Sequence, residues 1–141
     1  MTDARPPFHL SFFVLDLDAT RRFYGGVLGC REGRSAPTWV DFDFFGHQLS
    51  MHTTGRPVPT ENKGIVDGLA VPVPHFGAIL RWEEFQSLAG RLREAGHPFV
   101  VEPMIRFEGR PSEQATMFVL DPSGNALEFK TFRRPDRMFD A

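Results

Sequence analysis

The chain lacks most of what would tie it to a membrane, a nucleic acid or an oxidising compartment. It has one cysteine, Cys30, which excludes an intrachain disulfide framework and suits a reducing cytoplasm. A formal net charge of −2 over 141 residues provides no basic field for nucleic acid or an anionic membrane. The opening MTDARPPFHL lacks the basic start and apolar core of a signal peptide, and no apolar run approaches a membrane span. A cytoplasmic location is therefore expected. Tyrosine is almost missing as well: Tyr24 is the only one, beside two Trp, whereas Phe occurs 15 times. Core packing accounts for most of those rings. So many Phe in one core leaves some to line an aromatic-friendly cavity.

What is present suits one globular domain, with 41 % apolar and 24 % charged residues. Phe8 to Val14 alternates as a strand, with Phe8, Leu10, Phe12 and Val14 on one face and His9, Ser11 and Phe13 on the other. Asp16 and Asp18 open a helix that runs through Tyr24 and stops near Gly29. Three strands follow, over Cys30 to Ser35, Thr38 to Phe45 and His47 to Thr53. Thr54 to Asp67, rich in Gly, Pro and Asn, reads as a connection without structure of its own. The pattern then restarts. Pro74 to Leu80 is a strand, and Glu83 to Ala95 a helix with Phe85, Leu88, Leu92 and Ala95 as its apolar stripe. Strands over Phe99 to Glu102, Ala115 to Asp121 and Asn125 to Phe132 complete it, with strong turn chemistry in DPSGN.

The two copies agree in spacing. From the strand histidine to the glycine ending the helix is 20 residues in one copy (9 to 29) and 21 in the other (75 to 96). The closing strands align as GHQLSM against GNALEF. Neither half is large enough to bury a sheet well alone. The expectation is an α+β fold of two tandem βαβββ modules forming one curved, cup-like mixed sheet with helices outside. Module 1 covers about 8–53, a linker 54–70, module 2 about 71–132 and a C-terminal tail 133–141, all in a single domain.

Alternation places His9, His75 and Glu128 on the face away from the helices, each on a strand. Rigid strands suit metal ligands, and two imidazoles with one carboxylate suit Fe(II), Mn(II), Zn(II) or Ni(II). A lone strand histidine is more often structural. Two at equivalent places, with a carboxylate closing the second copy, make a metal triad. Gln48, Ser50 and His52 alternate with Leu49 and Met51 and so share the same face, as does Phe13. His52 is a candidate general base. Arg106, in a loop between strands, Phe118, and Lys130 beside Glu128 are further candidates for a substrate pocket.

FHLSFFVLDLDATRRFYGGVLG, WVDFDFFGHQLSMH, VPVPHFG and IRFEGRPSEQATMFVLDPSGNALEFK together resemble the vicinal oxygen chelate superfamily. That superfamily includes glyoxalase I, bleomycin-resistance proteins and extradiol dioxygenases, and the likeness runs from Phe8 to Phe132. The same motifs resemble a single-domain subgroup of predicted extradiol dioxygenases. The resemblance implies a homodimer and an Fe(II)-dependent dioxygenase acting on a small aromatic or enediol chelated through vicinal oxygens. It leaves open a redox-neutral isomerase or lyase of glyoxalase type, and a metal-free drug-binding protein of bleomycin-resistance type. Glyoxalase-type members carry a fourth protein ligand where this chain has Ser50, which favours the dioxygenase type. Against that, extradiol enzymes carry a tyrosine near the metal, and Phe118 stands where it is expected.

Overall fold

Alternation does build the opening strand, β1 (His9–Phe13), in which Leu10 and Phe12 are half-buried while His9, Ser11 and Phe13 are exposed. The computed structural model describes residues 5–57, 63–66 and 68–140. The chain divides into two compact units, Met1–Val58 and Pro59–Ala141.

In unit 1, Asp16 caps helix α1 (Leu17–Arg21), its Oδ1 accepting the Ala19 N–H at 3.0 Å. The helix widens into a π-helical stretch over Arg22–Val27, which brings Tyr24 among the rings of Phe12, Phe23, Phe42 and Phe44. Strands β2 (Arg31–Ala36), β3 (Trp39–Phe44) and β4 (His47–His52) follow. The sheet order is β1-β4-β3-β2, with β1 parallel to β4.

Unit 2 opens with a hairpin, β5 (Lys63–Val66) and β6 (Leu69–Pro72). It then repeats the plan of unit 1: β7 (Phe76–Ile79), helix α2 (Trp82–Glu94), β8 (Phe99–Arg106), β9 (Gln114–Leu120) and β10 (Ala126–Phe132). A 3-10 turn over Pro135–Arg137 is the last element. The order is β7-β10-β9-β8, with β7 parallel to β10, the same order and the same parallel pair as in unit 1. Helix α2 buries Phe85, Leu88, Ala89 and Leu92 and packs on β10. Both helical segments stop before a left-handed glycine, Gly29 at φ +77° and Gly96 at φ +67°, the conformation that glycine adopts without penalty. The α+β class and the two βαβββ modules are as expected, and each module forms its own hydrogen-bonded four-stranded sheet.

Several boundaries differ. The segment read as a linker, 54–70, contains β5 and the first half of β6; its Asp67-Gly68 dipeptide between apolar runs is a hairpin signal hidden among the surrounding Gly, Pro and Asn. Val71 of that hairpin packs with Val101 and Phe118. β8 does not stop at Glu102 but continues to Arg106, where Met104, Ile105 and Arg106 pair with Thr116, Ala115 and Gln114. Pro103 reads as a breaker, yet β8 is the last strand of its sheet, where a missing N–H is tolerated. Ala95 is exposed, and Ala89 takes its place in the buried stripe. Among the described residues no helix is long and apolar enough to cross a membrane.

Candidate metal centre

Parallel pairing of β7 with β10 brings the second module's opening histidine to its closing carboxylate. Gly77 pairs with Glu128, and His75, just before the strand, places Nε2 3.2 Å from Glu128 Oε1. The other ring nitrogen, Nδ1, lies 2.7 Å from the carbonyl oxygen of Pro72. A carbonyl only accepts, so Nδ1 carries the proton. In a neutral ring, Nε2 then turns a lone pair toward a carboxylate oxygen. Two acceptors at that distance require a proton or a cation between them.

The proton's part in this is visible in the acid–base behaviour of the pair. The hydrogen bond to Glu128 holds the His75 pKa above its ordinary value, against burial and with help from the Pro72 carbonyl. Burial alone would push the Glu128 carboxyl up. Hydrogen bonds from His75 and Thr116, and the nearby charges of Lys130 and His75, hold it below the usual range. A cation suits the same place. Two donors on adjacent positions of one ion, with bonds of about 2.1 Å, stand about 3.0 Å apart, close to the 3.2 Å between Nε2 and Oε1. The hydrogen bond from Nδ1 to a backbone carbonyl is the usual way to orient a ligating imidazole. His75 and Glu128 are thus spaced as two adjacent ligands of a divalent metal would be.

Around this pair, Thr116 Oγ1 donates to Glu128 Oε2 at 2.5 Å, and Lys130 Nζ lies 3.8 Å from Oε1. Phe118 sits directly across from Glu128 in β9 and meets the His75 ring edge-on, centroids 5.0 Å apart. Arg106 was expected in a loop between strands. It is instead the last residue of β8, buried at 4 % exposure, with its guanidinium 5.4 Å from the Phe107 ring. Pairing with Gln114, two residues from Thr116, puts it on the Glu128 face of the sheet.

In unit 1, the parallel pairing of β1 with β4 sets His9 beside Gln48, Ser11 beside Ser50 and Phe13 beside His52. His9 is exposed at the start of β1. Ser50 pairs with Ser11 and Asp41 as Glu128 pairs with Gly77 and Phe118, so the register makes Ser50 the counterpart of Glu128. The Ser50 hydroxyl donates to Asp41 Oδ1 at 2.6 Å, and Gln48 Nε2 donates to Asp41 Oδ2 at 3.2 Å. His52 lies beside Trp39, ring centroids 6.4 Å apart. Phe13 covers Gly55, where a β-carbon would fall 2.5 Å from its ring. Among the described residues no group of three or more His, Cys, Asp or Glu stands together as a metal cluster.

Asp41 and Thr116 escaped the sequence reading. WVDFDF reads as a strand with Val40, Phe42 and Phe44 inward, so Asp41 passes for a solvated residue. Only the pairing with Ser50 shows that it is buried and hydrogen-bonded.

Comparison with known proteins agrees with this layout. A crystal structure of a glyoxalase/bleomycin resistance protein/dioxygenase from Alicyclobacillus acidocaldarius is 35 % identical, with TM-score 0.77 over 98 % of each chain. A lactoylglutathione lyase from Agrobacterium tumefaciens shares the fold at 20 % identity, with TM-score 0.64 over 92 % of this chain and 96 % of that one. So does the oxidase ChaP-H2, at 19 % identity, TM-score 0.65, and 93 % and 96 % coverage. The sequence matches the family description over residues 7–129, which takes in both modules, His9, His75 and Glu128. The chain belongs to the Glyoxalase/Bleomycin resistance protein/Dioxygenase superfamily.

Proposed function

We propose that the chain is a metal-dependent, dioxygenase-like enzyme of extradiol type. His9, His75 and Glu128 hold Fe(II), and the substrate is a small aromatic or enediol taken through two vicinal oxygens. Mn(II), Zn(II) and Ni(II) suit the same donors. A cytoplasmic homodimer belongs to the same proposal. The observation that carries it is the His75–Glu128 pair, whose facing acceptors are spaced so that a divalent cation can replace the proton between them.

When bound, a divalent cation supplies a Lewis acid that draws in two vicinal substrate oxygens and makes their protons easier to lose. The chain's own residues supply position and proton handling. The Pro72 carbonyl fixes the His75 ring, and Thr116 and Lys130 orient the Glu128 carboxylate. Phe118 excludes water from one side of the imidazole. Ser50, at the place of a fourth protein ligand, leaves room for a bidentate substrate. His52, on the Ser50 face of β4, is the base that takes a substrate hydroxyl proton. Arg106, Lys130, Phe118, Phe13, Gln48 and Ser50 line the substrate side.

One observation favours a redox-neutral isomerase or lyase instead. The position opposite Glu128 is Phe118, which has no hydroxyl to act as an acid, and Tyr24 is fully buried in unit 1. Oxygen uptake decides between them. After anaerobic loading with Fe(II) and addition of catechol, the dioxygenase reading expects consumption of O₂ with loss of the catechol. Conversion without O₂ uptake moves the assignment to the redox-neutral class. Tight binding of a flat ligand by metal-free protein, with no conversion, moves it to a drug-binding protein.

A further inference from the structure

Asp41 settles the polarity of the face it supports. It is 6 % exposed and lies on β3 across from Ser50. Its Oδ1 receives the Ser50 hydroxyl proton at 2.6 Å. Its Oδ2 receives an N–H from Gln48 at 3.2 Å. Neither contact can be reversed, because an ionised carboxylate only accepts. The Gln48 amide therefore turns its nitrogen inward and its oxygen away from Asp41, and the Ser50 oxygen keeps only lone pairs to offer. Arg34, whose side chain is 82 % exposed, stands 3.7 Å from Oδ2 at the solvent edge. His9 pairs directly with Gln48, so these acceptors border the first module's proposed metal ligand.

Resting on the metal-chelate reading above, we propose that Gln48 and Ser50, held by Asp41, select a substrate carrying a further hydroxyl beside its two chelating oxygens. A hydroxyl at that place donates to the Ser50 or Gln48 oxygen. A carboxylate there faces two oxygen acceptors and no donor, and is rejected. Asp41 acts through its two neighbours and is a positioning residue, while Ser50 and Gln48 touch the ligand.

The test compares catechol, pyrogallol and 2,3-dihydroxybenzoate as ligands of Fe(II)-loaded protein, titrated anaerobically by calorimetry. The wild type is expected to bind pyrogallol about tenfold more tightly than 2,3-dihydroxybenzoate, the scale of one good hydrogen bond. Asp41→Asn offers an N–H in place of one of the two acceptors, which lets either Ser50 turn its proton outward or the Gln48 amide reverse. The preference should then fall to threefold or less. Ser50→Ala, which removes that acceptor along with its hydrogen bond to Asp41, should shrink the ratio too, with circular dichroism confirming a folded protein. Equal binding of the two ligands by wild type, or a preference kept by both folded variants, overturns the inference while leaving the chelate reading intact. Failure of all three ligands to bind overturns the chelate reading and this inference with it.

Discussion

A β-carbon on Gly77 would fall 1.4 Å from the main-chain oxygen of Glu128. The parallel strands β7 and β10 touch there without room for any side chain, and that contact holds Glu128 within reach of His75. Gly77→Ala must push the strands apart. The expected cost is about 1–3 kcal/mol, the usual range for overpacking, read as a lower urea midpoint with an unchanged slope. Metal binding should weaken in the same variant. An unchanged midpoint would show that the strands are looser than described.

Thr116→Val keeps the shape of the side chain and removes the donor to Glu128 Oε2. A buried carboxylate oxygen then loses its partner, at about 1–3 kcal/mol. The Glu128 pKa should rise, since the Thr116 bond is one of the causes holding it down. Infrared absorption of the carboxylate against pH would report the shift; no movement would mean that His75 and Lys130 alone set its ionisation.

The metal-free protein should show a particular dependence on pH. The raised His75 pKa contributes stability that is complete below the ordinary 6.5 and is lost as pH rises through the raised value. The lowered Glu128 pKa contributes above 4.5, and that part is lost as pH falls through the lowered value. The pair thus stabilises most between 4.5 and 6.5. A metal competes with the His75 proton, so added Fe(II) should move the stability maximum above that interval. Urea midpoints of wild type and His75→Gln across pH 4–8, with and without metal, measure this. A profile indifferent to metal would contradict it.

The repeat made much of this legible. His9 and His75, at matched places in two copies, and Glu128 in the closing strand can be found by counting, because the side-chain period of a strand is two. The counterpart relation of Ser50 to Glu128 followed from the same alignment and agrees with the strand register. What was hidden depends on partners far away in the chain. Asp41 looks like any outward strand carboxylate until Ser50 and Gln48 meet it. Arg106 looks like a loop residue because a proline, Pro103, interrupts the strand pattern before it, whereas pairing with β9 carries the strand past it. Pro72 lies within VPVPHFG, yet only the folded chain shows that its carbonyl sets which nitrogen of His75 is free.

Ser50→Glu restores a carboxylate where a four-ligand relative would have one, but Asp41 is already there. The substitution removes a hydrogen bond to Asp41 and adds a like charge beside it. Without metal the variant should lose about 1–3 kcal/mol of stability, recover on adding Fe(II), and bind catechol at least tenfold more weakly. Metal-free stability equal to wild type, with catechol bound as before, would show that position 50 faces neither Asp41 nor the open side of the metal.

The central claim is that His9, His75 and Glu128 share one metal ion. It is tested by anaerobic Fe(II) titration of wild type and of His9→Ala, His75→Ala and Glu128→Ala, each checked for folding by circular dichroism. His75→Ala leaves the core-facing Phe76 and Ala78 in place, and His9→Ala removes an exposed side chain, so both should fold. The account predicts one ion per chain in wild type and affinity reduced by at least a hundredfold in each variant. A folded His9→Ala protein that binds iron as tightly as wild type would contradict it.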